Sequence, residues 1–441
     1  MDQPKKLQPL KTTKIKKLVF GGCGLGHDHE GKATFLLNAL PDEVVEFFIT
    51  KVHKTHFEGI AENVIEKSPN RIEPLEEHFL TCSPWQILDW QSENFWKVEI
   101  AKEAYGKLVG LPANIPIAHS EEPDLAYRNK IEYSFTENEA GELSLAFYKR
   151  GSKKKLPLLD GCLLSELGIN EVAFIVLDLL RANQILAENL KSLIIRSNGL
   201  GQTIFALFVN DELITERLVT AFADTFSLSD TCLGYEIYYS TPKSPASVPT
   251  KLYASVGQNF LITKLMDAEL KFGLLSFFQV NIPLFNLALA DIAQFLDPNL
   301  ELVDFYCGVG AIGLPLTPNC RKLYLVDNNE QAIEYAKANI AMNQIDHAEA
   351  TCLPAEKITE LITNERIIIV DPPRAGMHKK VVEKLLAERP VRIIYLSCNL
   401  STQARDIAEL ESAYELKFIK LYNFFPRTPH IEALVVLERK G

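Results

Sequence analysis

The feature that most constrains this chain is the alternation, from Pro283 to the C-terminus, of short apolar runs with amphipathic stretches. After the helical segment PLFNLALADIAQFL come ELVDFYCG, a helix, KLYLVDNN, the helix EQAIEYAKANIAMNQ, AEATCL, RIIIVDPPRAG, the helix HKKVVEKLLAE and RIIYLSCN. The helix TQARDIAEL and the strands YELKFIKLYNFF and EALVVLERK follow. Apolar runs of strand length between amphipathic helices predict an α/β fold with a doubly wound, mostly parallel sheet, and the two final strands predict an antiparallel insertion. Ligands collect at the C-terminal strand ends of such sheets, where Asp304, Asp327, Asp371 and Cys398 fall.

The chain has 441 residues, which predicts two or three domains. Residues 1–73 alternate with period two between Gly, Asp and His turns and predict a small β-barrel that exits at SPNRIEP. Residues 74–262 mix helical stretches such as NEVAFIVLDLLRANQILAENL with strands such as TIFALFVN and predict a central α+β domain; residues 263–441 form the α/β domain. A net charge of −11 argues against a protein that coats nucleic acid nonspecifically and leaves room for a local basic surface, which begins with Lys5, Lys6, Lys11, Lys14, Lys16 and Lys17. No apolar stretch follows them, so a cytoplasmic protein without membrane contact is expected. The eight cysteines include no C-x-x-C pair, and neither a disulfide framework nor a zinc ribbon follows from their spacing.

Three motifs carry chemistry. Gly308, Gly310 and Gly313 follow a strand in G-x-G-x-x-G spacing, with Asp327 ending the next strand. Such a turn lets backbone approach a cofactor and offers a carboxylate to ribose hydroxyls, and it suits a nicotinamide dinucleotide and S-adenosylmethionine equally. VDPPRAG interrupts a buried strand with two prolines that stiffen the loop and present Asp371. Cys398 ends a strand, with Ser401 available to cap the next helix. A helix N-terminus favours thiolate, and the expected pKa lies below the free value of about 8.5. Glu432, in FFPRTPHIEAL, opens the closing strand of the same sheet. HDHE at residues 27–30 fits a polar hairpin tip better than a metal site, and YKRGSKKK is either a phosphate contact or a solvated loop.

SFFQVN, DFYCGVGAIGLPL, VDPPRAG, YLSCNLSTQARD and FFPRTPHIEALVVLER closely resemble, in order, the motifs of the RNA (uracil-C5)-methyltransferase family. The resemblance implies a Rossmann-like, S-adenosylmethionine-dependent domain with a seven-stranded sheet, methylating uridine to 5-methyluridine in ribosomal or transfer RNA. It implies Cys398 as the nucleophile that adds to C6 of uracil and Glu432 as the base that removes the C5 proton. It further implies Gln279, Tyr306, Asp327 and Asp371 in the cofactor pocket; Ala311 stands where some members have a polar residue. Phe277 and Phe278 are candidates for stacking on the target base, with core packing of one of them equally expected, and Arg128 and Lys130 in AYRNKIEYSF for phosphate contacts. The N-terminal segment resembles a TRAM barrel, an OB-like RNA-binding module, with Pro41-Asp42-Glu43 where Pro-Gly-Glu is usual.

Many TRAM-bearing relatives hold a [4Fe-4S] cluster on four cysteines, three of them in a C-x(5)-C-x(2)-C-type segment. Here Glu76 and Trp85 fall at its first and third positions, leaving Cys82 and the distant Cys162. No cluster and no other metal are expected, with Trp85 filling the vacated volume and Cys82 an ordinary core residue. The expected partner is RNA, 23S rRNA before tRNA, bound by a monomer. Competing readings are an RNA-binding protein with a relict methyltransferase domain and an exocyclic-amine methyltransferase, which needs Asp371 and no thiol.

Overall fold

A computed structural model of the chain describes residues 11–121, 125–244 and 247–441; Lys5 and Lys6 lie outside them. Strands β1 (Lys11–Leu18), β2 (Gly24–His27), β3 (Ala33–Leu37), β4 (Val44–Val52) and β5 (His56–Glu66) close into a barrel in the order β1-β2-β3-β5-β4. Every second residue points inward, so Ile15, Leu36, Val45 and Phe47 fill it. HDHE is the tip of the β2–β3 hairpin, where Asp28 accepts the amides of Glu30 and Lys32. Asp42 adopts φ 70°, a left-handed conformation that favours glycine. The neighbouring buried Glu43 pins the barrel exit through Arg71 Nε, at 2.5 Å.

Beyond the short helix α1 (Phe79–Cys82), helix α2 (Trp90–Tyr105) is capped by Asp89, and strand β6 (Ile117–Ala118) follows. Then come β7 (Lys130–Glu137), β8 (Leu143–Tyr148), β9 (Lys155–Pro157), helix α3 (Leu167–Ala182), β10 (Leu190–Ser197), β11 (Thr203–Val209), helix α4 (Glu212–Thr225), β12 (Cys232–Tyr239) and β13 (Lys251–Gly257). These seven strands form one sheet in the order β13-β12-β11-β10-β7-β8-β9. Every residue of β11 is buried. Phe205, Leu207 and Val209 enter the core under α3 and α4, while Ile204, Ala206 and Phe208 enter the core shared with the C-terminal domain. The two-residue period of a strand thus ties the sheet to both sides.

Hairpin β14 (Phe260–Leu265) and β15 (Ala268–Gly273) and helix α5 (Ile282–Ala293) lead into β16 (Glu301–Phe305), β17 (Lys322–Asp327), helix α6 (Glu330–Met342), β18 (Ala348–Cys352), β19 (Arg366–Val370), helix α7 (Lys379–Glu388), β20 (Arg392–Ser397), helix α8 (Leu400–Leu410), β21 (Tyr414–Tyr422) and β22 (Glu432–Arg439). The sheet order is β18-β17-β16-β19-β20-β22-β21-β6: the expected Rossmann-like order with β22 inserted antiparallel, plus an eighth strand. The helix expected after β16 is only a 3-10 turn over Leu314–Asn319, because Pro315 and Pro318 withhold the amides an α-helix needs.

The eighth strand and α2 come from within residues 74–262, yet both join the C-terminal domain. β6 pairs with β21, and Trp85, Ile87, Ile100, Ala101 and Tyr105 lie in its core. Glu93 and Lys97 on α2, both fully buried and 3.0 Å apart, organise this junction. Lys97 donates to Asn423 Oδ1 at 2.5 Å and to the Phe425 carbonyl at 3.2 Å, while Glu93 accepts from Asn423 Nδ2 and the Arg427 amide. Arg427 caps the Leu88 carbonyl, and its own carbonyl receives the Trp85 amide. Removing one member strands a buried charge, so Glu93→Ala is expected to cost about 3–5 kcal/mol in urea unfolding. The paired change Glu93→Leu with Lys97→Met is expected to recover most of that loss.

Candidate active site

The site is built where β19, β20 and β22 end. β20 and β22 pair antiparallel with Ser397 opposite Ala433, so one step beyond the ladder Cys398 stands opposite Glu432. β19 runs parallel to β20 with Val370 beside Tyr395, which brings Asp371, the next residue, to the same edge. Behind them Gln403 of α8 donates to the carbonyls of Tyr395 and Ala433, clamping β20 to β22, and receives the Tyr105 hydroxyl from α2.

The loop carrying Asp371 is held on the first turn of α8. Asn399 Nδ2 and Thr402 Oγ1 donate to the Arg374 carbonyl, Arg405 to that of Ala375, and the Met377 amide to Asp406. Asn399, not Ser401, caps α8: its side chain accepts the amides of Ser401 and Thr402 and is two residues closer to the strand.

Cys398 is half-buried, but the helix N-terminus does not make it acidic. Burial first, then the charges of Glu432 and Asp371, push its thiol up to about 11, against a downward pull from Arg374. Burial, with Asp371 beside it, holds the Glu432 carboxyl well above the ordinary carboxylate range. Burial alone pushes Asp371 up to about 7.

The glycine loop lies on the adjacent strand ends. Tyr306, Gly308 and Gly310 all have positive φ, and the space that a Cβ on Gly308 would enter is open to beyond 4 Å. A Cβ on Gly313 would meet Asp304 Oδ2 at 2.9 Å, where the Gly313 amide is bonded to that carboxylate. Asp327 receives the Gly308 amide at 2.9 Å, and the buried Asp304 Oδ1 has no hydrogen-bond partner among the described residues. Gln279 is buried, its carbonyl receiving Asn129 Nδ2, and follows Phe278, which shares a core with Cys307 and Val309. Tyr306 lines a cavity of about 600 Å3 with Glu356, Met377, His378 and Asp406.

Of the two phenylalanines, Phe278 is core, stacked on Phe272 at 4.3 Å, while Phe277 is 73% exposed. The fully buried Arg196 sets this: it donates to the carbonyls of Leu274, Ser276 and Phe278, holding the segment so that Phe277 turns outward. Lys130 is half-buried opposite Arg196 in the β7–β10 ladder, and burial, then Arg196, push its ammonium down to about 8. The charge of Arg128 is felt at His430, two residues before Glu432, together with those of Arg374, Arg150 and the buried Lys97. Surrounding protein and then the charges of Arg374, Lys97, Arg128 and Arg150 push His430 down to about 4. Arg374 was within reach of sequence reasoning, directly after the two prolines; Lys97 reads as an ordinary helix cation. Arg150 sits at the tip of the β8–β9 hairpin, within YKRGSKKK.

The family model for tRNA (Uracil-5-)-methyltransferase matches residues 276–440, the span holding every one of these strand ends. An uncharacterised RNA methyltransferase of Fusobacterium nucleatum is 30% identical over 455 residues, covering 99% of this chain and 97% of that protein. One of Aquifex aeolicus is 30% identical over 444 residues, covering 98% and 99%. The fold is that of a Pyrococcus abyssi tRNA (uracil-54, C5)-methyltransferase solved with S-adenosyl-L-homocysteine, with a TM-score of 0.77 at 22% identity, covering 97% of this chain and 100% of that one. Full-length similarity to RNA methyltransferases, joined to a uracil-5 match over the domain that gathers Cys398, Asp371 and Glu432, means that this chain belongs to the RNA (uracil-5)-methyltransferase family.

Proposed function

We propose that this enzyme methylates C5 of a uridine in 23S rRNA through a covalent adduct between Cys398 and C6, with Glu432 as the base. The observation that carries the reading is the register that sets Cys398 opposite Glu432 with Asp371 on the neighbouring strand. An exocyclic-amine methyltransferase needs no thiol, and a relict domain has no reason to bury Glu432 against a cysteine. S-adenosylmethionine supplies an electrophilic methyl group when bound. The residues fit it: open space over Gly308, the Asp327 carboxylate beside it and the unpartnered Asp304 oxygen offer room and acceptors, with Gln279, Tyr306 and Asp371 as further contacts.

Uracil C5 is a poor nucleophile, so Cys398 gives up its thiol proton to solvent and the thiolate adds to C6, moving the double-bond electrons onto C5 and O4, while Glu432 stays ionised for the later step. Arg374 at the rim offsets the cost of that thiolate. Once C5 carries the methyl group, Glu432 takes the C5 proton. The freed electron pair re-forms the C5–C6 double bond, and the sulfur leaves. A carboxylate in so enclosed a site holds a proton strongly, which suits a base acting on carbon. The exposed Phe277 is read as stacking on the extruded base, and Arg128, Arg150 and Arg374 as meeting flanking phosphates. The N-terminal barrel is read as a TRAM-like RNA-binding module in a cytoplasmic enzyme. Transfer RNA is the second reading, favoured by the P. abyssi tRNA enzyme, whose likeness extends over the whole chain.

RNA containing 5-fluorouridine, with S-adenosylmethionine, is expected to give a denaturation-resistant complex, because fluorine cannot leave as the proton does. Cys398→Ala should abolish it, and Glu432→Gln should accumulate methylated adduct with natural RNA; a Glu432→Gln enzyme turning over at the parent rate would remove Glu432 from the mechanism. In the free enzyme, a thiol at about 11 is about 0.1% thiolate at pH 8. Iodoacetamide labelling of Cys398, followed by peptide mass spectrometry, should therefore rise about tenfold per pH unit from 7 to 10. A plateau near pH 7 would mean an acidic thiol instead. Mapping 5-methyluridine in rRNA and tRNA from cells lacking the gene separates the two RNA targets.

A further inference from the structure

Cys82 packs, half-buried, against the core of the central domain, while Trp85 lies in another core and does not fill the space beside it. Trp85 packs into the C-terminal core and donates to the Gly22 carbonyl of the barrel. Around Cys82, instead, Glu76, His78 and Cys162 each bring one ligand atom, and all four atoms lie within 4.8 Å of one another. We propose that these residues form a closed, four-coordinate zinc site that fastens the segment after the barrel to the central domain.

The donor set is two thiols, one imidazole and one carboxylate, all groups that bind zinc, in the number a structural site requires. A [4Fe-4S] cluster does not fit: it takes four ligands, one on each of four separated irons, and only two thiolates are present. Tetrahedral zinc with bonds of 2.0–2.3 Å sets its ligand atoms about 3.3–3.8 Å apart, which small side-chain rotations reach from the present spacing. The site is enclosed. The Glu76 and His78 side chains are 7% and 12% exposed, and Cys162 is buried. His78 Nε2 is buried 3.2 Å from Glu76 Oε1 with no aligned hydrogen bond, as befits a nitrogen aimed at a shared centre.

An outer ring of hydrogen bonds holds the donors. Glu76 accepts the Leu163 amide at 2.6 Å and Gln86 Nε2 at 2.7 Å, and the Gln86 carbonyl in turn accepts the Leu75 amide. The Cys162 amide is bonded to Asn170, which also receives the Tyr133 hydroxyl. Three ligands come from the Leu75–Cys82 stretch and the fourth from the loop before α3. That stretch continues to Trp85, whose amide holds Arg427, so the zinc site stiffens the path to the loop that precedes Glu432.

Full-length protein purified without chelator is expected to carry one zinc per chain by inductively coupled plasma mass spectrometry. After stripping, it should take one Co2+ with the intense d–d absorption of a tetrahedral site and a thiolate charge-transfer band, both displaced by Zn2+. Cys162→Ser should lose the charge-transfer intensity of one thiolate, while Cys352→Ser, on an exposed strand, should leave the spectrum unchanged. If Cys162→Ser fails to fold, Glu76→Gln, which keeps the side chain's size, decides: a chelating dye should remove its zinc at least tenfold more readily than from the parent. Four irons with sulfide per chain, no uptake of Co2+ or Zn2+, a six-coordinate cobalt spectrum, or zinc release unchanged in Glu76→Gln would each overturn the proposal.

Discussion

The rest of the structure depends on the buried pair of Glu93 and Lys97. One turn of α2 carries both charges into a core where neither could stay alone, and Asn423, Arg427 and the Phe425 carbonyl use their remaining hydrogen-bonding capacity. An apolar contact there would tolerate sliding, whereas a network with its partners filled admits one arrangement of helix against loop. That arrangement sets where the chain re-enters the sheet as β22, and therefore which residue faces Cys398. The seven-stranded frame gives the site its edge, and this junction gives it its register.

The site itself concentrates opposed electrostatic demands. Cys398, Glu432 and Asp371 converge in a poorly solvated edge where burial pushes all three upward, with Asp371 adding to the shift of Glu432 and both acids adding to that of Cys398. The charges of Arg374, Arg128 and Arg150 act on His430, in the loop before Glu432, although the chain as a whole carries a charge of −11. The barrel reaches the same loop. The turn at Gly22 lies against Pro429, and Trp85 donates to the Gly22 carbonyl, so the N-terminal module and the loop before Glu432 form one surface.

Much of this was legible in the residues. Strand-length apolar runs between amphipathic helices led to the parallel sheet and to Asp327, Asp371 and Cys398 at strand ends, because backbone periodicity is local. The same periodicity missed α2 and β6 as parts of the C-terminal domain, since a helix carries no mark of which distant sheet covers it. It assigned the cap of α8 to Ser401 when Asn399, two residues nearer, bonds the free amides. It expected an acidic Cys398 from a helix dipole that burial and two neighbouring acids outweigh.

The sequence by itself determined the sheet, the barrel and the motif residues, because hydrophobic period, turn chemistry and side-chain type act over a few neighbouring positions. Only the tertiary structure decided that Phe277 turns outward while Phe278 is buried, that the charges of four cations act on His430, and that Glu76, His78, Cys82 and Cys162 meet at all. Each of these joins residues separated along the chain. Their charges, burial and spacing are set by what packs between them, which no local pattern records.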